Sequence, residues 1–227
     1  GAFQHPRWIN FDFPGNTEFY KAIQGEPGID FKPIDLCEEN LQLPLESESV
    51  SLIYCAHVLE HLEEAKARSF LCECARILKP GGVMRIVVPS TDNDFFLSKI
   101  INSQDSIEDK VKLSSILSAT FHTLSLTKTL DPETIAKDVI TNDFSAADFF
   151  RVSVTERGIS AAFDPSRPDH HIAHWNHQKF CNAAIEDGFK YYLPLYRGQT
   201  TASPFTNTEV FDTTETHVSL YGELIKA

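Results

Sequence analysis

Nothing in this chain restricts its fold as strongly as residues 50–89. Val50-Ser51-Leu52-Ile53-Tyr54-Cys55-Ala56 is a mostly apolar run of strand length, the pattern of a strand buried on both faces. A helix follows, because Ala67, Phe70, Leu71, Cys74, Ile77 and Leu78 recur at the i, i+3, i+4, i+7 spacing that lines one face. Lys79 suits the negative end of that helix, and Pro80-Gly81-Gly82 stops it. Val83-Met84-Arg85-Ile86-Val87-Val88-Pro89 then reads as a second buried strand. Buried strands joined through a helix belong to a largely parallel, doubly wound α/β sheet.

The flanks extend the pattern. Residues 8–13 read as a strand ended by Pro14-Gly15, and residues 30–36 as another, entered through Gly25-Glu26-Pro27-Gly28. Near the other end, Asn176 can cap a helix carrying Phe180, Ala183 and Ala184, which Gly188 terminates. Strands over 189–196 and 218–225 follow. Residues 90–165 differ: they show no convincing strand, and helices are expected over 95–101, 107–124 and 132–150, the last capped by Asp131 with Pro132 at its first position. Such an insertion serves as a lid or as the surface of a homodimer. The whole of 1–227 reads as one domain carrying this insertion.

The chain has 227 residues, 20 Lys+Arg against 32 Asp+Glu, and a formal charge of −12. An acidic surface repels phosphate backbones, which argues against a nucleic-acid footprint and against an anionic membrane. The five cysteines, Cys37, Cys55, Cys72, Cys74 and Cys181, include a C-x-C and no C-x-x-C, and are expected as buried reduced thiols of a cytoplasmic protein. No long apolar span and no signal peptide is visible in the sequence.

Beyond periodicity, the order of residue types carries information. Asp35-Leu36 is followed by Leu43-Pro44-Leu45, the acidic-serine turn Glu46-Ser47-Glu48-Ser49, and His57-Val58-Leu59-Glu60-His61. Glu73, Arg76 and Leu78-Lys79-Pro80-Gly81-Gly82 complete the series. This progression resembles the class I S-adenosylmethionine-dependent methyltransferases, in particular their type 11-like branch. His5-Pro6-Arg7-Trp8-Ile9-Asn10-Phe11-Asp12 resembles the family's second strand, His174-Trp175 through Gly188-Phe189 its helix before the sixth strand, and Ser219-Leu220-Tyr221-Gly222-Glu223-Leu224 its seventh strand. The insertion has no counterpart in the resemblance.

The resemblance implies a Rossmann-like, mostly parallel sheet of seven strands, the last antiparallel, with the helical insertion after the fifth. It implies methyl transfer from S-adenosyl-L-methionine, with S-adenosyl-L-homocysteine as product, to a small-molecule or sugar acceptor. Cofactor contacts fall on Asp12 and Phe13 at the end of one strand, on Asp35 and Leu36 after the next, and on Ala56 and His57 after the third. The family's glycine-rich loop on its first strand is not found here. Gly1 stands where its last glycine would fall, and we expect the natural chain to be longer at that end.

Several residues keep a second reading. Asp12 and Asp35 can be turn-makers or caps. His57 is the candidate to assist acceptor deprotonation, since its unperturbed pKa lies near neutrality. His61, His174 and Trp175 are candidates for the acceptor pocket, although Glu60 and His61 can simply fix the start of the helix. His57-Val58-Leu59-Glu60-His61 also fits H-x-x-E-H, an inverted zinc-hydrolase pattern that requires a helix, and His170, His171, His174 and His177 have spacings that a helical metal site could use. No metal is expected at either. A methyltransferase-like binding protein without turnover is the remaining alternative.

Overall fold

The computed structural model describes residues 5–15, 17–89, 106, 172–173, 175–214 and 219–227. Gly1, His170, His171, His174 and the expected helices of the insertion lie outside them.

β1 (Ile9–Asp12) and β2 (Asp30–Pro33) pair in parallel, with Asp12 opposite Pro33. Between them runs α1 (Glu18–Gln24), capped by the Thr17 side chain, which accepts from the Tyr20 N–H. This helix buries none of its residues. β2 stops at Pro33, short of the expected Leu36; proline has no N–H with which to continue a ladder.

β3 (Val50–Ala56) has the expected bounds. A single 3-10 turn (Leu59–His61) leads to α2 (Glu64–Ile77), which buries Ala67, Phe70, Leu71, Cys74, Ala75 and Ile77. β4 (Leu78–Pro89) then runs parallel to β3, with Ala56 opposite Val87. The expected helix end needs correction. Leu78 already pairs with Val50, the register slips between Val50 and Leu52, and Gly81 takes φ +75°. Lys79 therefore belongs to the irregular start of the strand and not to the last helical turn.

α3 (His177–Glu186) begins as expected, with Asn176 Oδ1 accepting the Lys179 N–H at 2.8 Å, and Gly188 follows it at φ +93°. β5 (Phe189–Leu195) and β6 (Ser219–Lys226) close the fold, β6 antiparallel to both β4 and β5. The strand order is β3-β4-β6-β5 in one sheet and β1-β2 in another. The class is Rossmann-like α/β, but six strands in two sheets replace the single seven-stranded sheet that was expected among the described residues.

The main core lies between the four-stranded sheet, α2 and α3, and includes Leu59, Leu71, Met84, Ile86, Phe180 and Leu224. A second cluster ties β1 to the opposite face: Trp8 packs on Phe205 and Phe211, ring centroids 5.8 and 5.5 Å away, beside Leu52, Tyr54 and Val83. Only two of the five thiols meet the expectation of burial. Cys55 and Cys74 are buried, and burial pushes both well above the usual thiol range. Cys37 is half-buried, while Cys72 and Cys181 are exposed. Among the described residues no helix is long and apolar enough to cross a membrane.

Candidate active site

Parallel strands aim their carboxyl ends at a common edge, and ligands of open α/β sheets bind there. Two of the expected residues, Asp12 and Ala56, end strands, and Asp35 and His57 follow strand ends within two residues. Asp12 is the last residue of β1; its Oδ1 accepts the Phe13 N–H at 2.8 Å and its backbone carbonyl accepts the Ile34 N–H at 2.9 Å. Phe13 is exposed. Asp35 lies just past β2 and accepts the Cys37 N–H at 2.8 Å, an Asx turn, so the turn-making reading holds for part of each carboxylate. Burial, then Asp35, push the Cys37 thiol upward. Leu36 is half-buried against the main core.

Ala56 ends β3, and His57 follows it with its N–H on Val87 O at 2.8 Å. The His57 backbone has φ +53°, a left-handed conformation that a residue with a Cβ rarely adopts. His57 Nδ1 lies 3.0 Å from Glu60 Oε1, and His61 Nε2 lies 3.9 Å from the same oxygen. The Glu60 side chain is only 2% exposed. Nε2 of His57 and Oε2 of Glu60 are buried with no hydrogen-bond partner among the described residues.

The turn bearing Glu60 is held from behind. Its backbone carbonyl accepts from Ile172 N at 2.7 Å and Ala173 N at 3.1 Å, and Leu59 O accepts the Trp175 indole N–H at 3.2 Å. Trp175 itself is 1% exposed, stacked on Phe180 at 4.6 Å with Lys179 Nζ 4.5 Å from its ring. Its indole N–H serves the 59–61 turn. His177 is likewise engaged, its Nδ1 2.7 Å from the Tyr192 hydroxyl.

The zinc reading loses its premise. His57 is left-handed and Leu59–His61 is a lone 3-10 turn, so H-x-x-E-H does not lie on a helix. Among the described residues no three His, Cys, Asp or Glu side chains could hold a metal ion. Sequence reading kept Glu60 for the start of the helix and overlooked its pairing with His57. The i, i+3 spacing was the available signal.

A carboxylate ending β1, another just past the adjacent β2 and a histidine just past β3 are side chains that could serve a nucleoside ligand, since carboxylates accept from ribose hydroxyls and an amino group. Residues 14–86 match the family model described as "Methyltransferase domain". No curated protein matches the chain.

Solved structures resemble it more distantly. An S-adenosylmethionine-dependent methyltransferase from Mesorhizobium loti is 13% identical, with a TM-score of 0.41 over 95% of this chain and 78% of that one. One from Methanosarcina mazei is 12% identical, with a TM-score of 0.40 over 95% and 78%. A protein from Bordetella parapertussis described as a possible exported protein is 11% identical, with a TM-score of 0.35 over 80% of this chain. The chain spans only 40% of that last protein's length. At TM-scores below 0.5 these likenesses carry no weight beyond the family match.

Proposed function

We propose that this chain transfers a methyl group from S-adenosyl-L-methionine to a small-molecule or sugar acceptor at the edge formed by Asp12, Asp35 and His57. The observation that carries the reading is that Asp12 ends β1 while Asp35 follows β2 and His57 follows β3, the last two within the residues 14–86 that match the methyltransferase family model. Asp12 would accept the ribose hydroxyls. Asp35 would take the adenine amino group, and Leu36 would present its backbone N–H to the ring. Ala56 and His57 would border the reacting end, where the bound cofactor supplies an electrophilic methyl on a positively charged sulfur. Transfer of such a methyl needs in-line approach above all, so positioning supplies most of the rate. The formal charge of −12 favours an uncharged or cationic acceptor over a nucleic acid.

Calorimetric titration of S-adenosyl-L-homocysteine into the protein, with Asp12→Ala alongside, tests the reading. The expected result is micromolar binding that the substitution weakens ten-fold or more. Absence of binding by folded protein would count against cofactor use and favour a binding role for the fold.

A further inference from the structure

Buried polar atoms are nearly always paired, so two orphans on one pair of side chains mark a place where a polar group is due. Nε2 of His57 and Oε2 of Glu60 are such atoms, and their other halves, Nδ1 and Oε1, meet at 3.0 Å. An ionised carboxylate can only accept. With Glu60 Oε1 as the acceptor, Nδ1 carries the imidazole proton and Nε2 presents its lone pair. The opposite tautomer would set two lone pairs against each other across the same 3.0 Å.

Both ends of the pair are fixed. His57 is anchored by its N–H on Val87 O and held left-handed at φ +53°, a conformation that persists only where the surroundings impose it. Glu60 is clamped by Ile172 N and Ala173 N on its carbonyl oxygen. What Nε2 and Oε2 both lack is a hydrogen. A hydroxyl or amine brings one; a carboxylate or phosphate does not. A cation could take both lone pairs, but among the described residues no third ligand accompanies them.

Resting on the methyl-transfer reading, we infer that Glu60 is a positioning residue that holds His57 with Nε2 as the base, and that the acceptor at this site is a neutral hydroxyl or amine. As the bond from the acceptor oxygen or nitrogen to the methyl carbon forms, the carbon–sulfur bond breaks and its electron pair stays on sulfur. The acceptor proton passes to Nε2 of His57. The resulting imidazolium keeps its Nδ1–H on Glu60, and the positive charge that leaves sulfur reappears on the ring, so atoms and charge balance.

Nitrogen-15 NMR of histidine-labelled protein tests this without turnover, because the two ring nitrogens report which one is protonated. His57 is assigned through His57→Gln. The wild type is expected to carry its proton on Nδ1, and Glu60→Gln, whose amide can donate to Nδ1, to move a substantial share to Nε2 while S-adenosyl-L-homocysteine affinity stays within about two-fold. A wild-type His57 protonated on Nε2 overturns the inference, and so does a Glu60→Gln variant that keeps the wild-type tautomer. Should that variant not fold, the wild-type tautomer alone decides. Methanol and formate, the smallest hydroxyl and carboxylate, probe the acceptor class in the presence of the homocysteine product: methanol should move the Nε2 signal and formate should not. A response to formate alone, or to neither, overturns the neutral-acceptor assignment. The expected tautomer in a protein that binds no S-adenosyl-L-homocysteine would instead overturn the methyl-transfer reading, and the base role with it.

Discussion

The left-handed backbone of His57 is a cost of roughly 1–2 kcal/mol for a residue with a Cβ. It stands one residue beyond the parallel pairing of Ala56 with Val87, where the chain leaves the sheet and turns back toward Glu60. The turn brings the imidazole onto the carboxylate, which is what an ordinary extended exit from β3 would not do. Comparing His57→Gly with His57→Ala isolates the backbone term, since both lose the ring. Thermal denaturation should find the glycine variant the more stable by about 1 kcal/mol, because glycine enters the left-handed region at little cost. Equal melting temperatures would mean that position 57 relaxes once the ring is gone. None of this was legible from the residue types: a histidine after an apolar strand announces neither its φ nor its partner.

At the scale of elements, α2 does two things with its two faces. Its apolar stripe enters the core, and the stripe was readable because burial on one side of a helix imposes a 3.6-residue period. Its other signature, Glu73 and Arg76, proves to be a clamp on the 43–47 loop. Glu73 Oε2 accepts the Leu43 N–H at 2.9 Å, and Arg76 donates to Glu73, to Leu43 O at 3.1 Å and to Leu45 O at 3.0 Å. Arg76 holds the Glu73 carboxyl below its ordinary value, with the Leu43 N–H adding to the effect. A carboxyl depressed in the folded state binds fewer protons than in the unfolded chain, so its stabilisation is full above about pH 4.5 and drains away as the pH falls below that. Glu73→Gln should lower stability at pH 7 by about 1 kcal/mol and flatten the acid side of the profile of melting temperature against pH. An unchanged acid slope would show that other carboxylates set it. The elements that escaped the sequence reading did so for related reasons. α1 has no buried stripe, β2 is cut by Pro33, and the start of β4 hides in a Lys-Pro-Gly-Gly run that reads as a helix stop. Burial of Trp175 and exposure of Cys72 and Cys181 depend on contacts made far along the chain, which local pattern does not record.

Across the whole molecule, the most consequential polar group is one the strand pattern treated as an ordinary position. Arg85 sits in the middle of β4 with its side chain fully buried, and so does its partner Asp212. The guanidinium donates through Nε to Asp212 Oδ1 at 3.2 Å and through Nη2 to Oδ2 at 2.5 Å. Its remaining donors go to Gln199 O at 2.9 Å and Tyr196 O at 3.0 Å. Glu223 on β6 lies 3.8 Å away and accepts from Thr200 and Thr201. One strand position thus fastens the loop between β5 and β6 to the sheet, and that loop carries Phe205 and Phe211, on which Trp8 anchors β1. The two sheets share no ladder among the described residues, and this relay of charge and aromatic packing, together with Ile34 and Leu36 packed on the main core, links the Asp12 edge to the His57 edge. Removing one partner of a buried pair leaves the other charge uncompensated, at a cost of about 3–5 kcal/mol, whereas replacing both by apolar residues is often neutral. Asp212→Ala should therefore lose about that much in urea denaturation, and Arg85→Met combined with Asp212→Leu should recover most of it. The double variant should still weaken S-adenosyl-L-homocysteine binding, because the loop that seats Trp8 loses its polar anchors even when the core is repaired. Recovery of stability together with full affinity would show that the apolar contacts alone hold β1 in place.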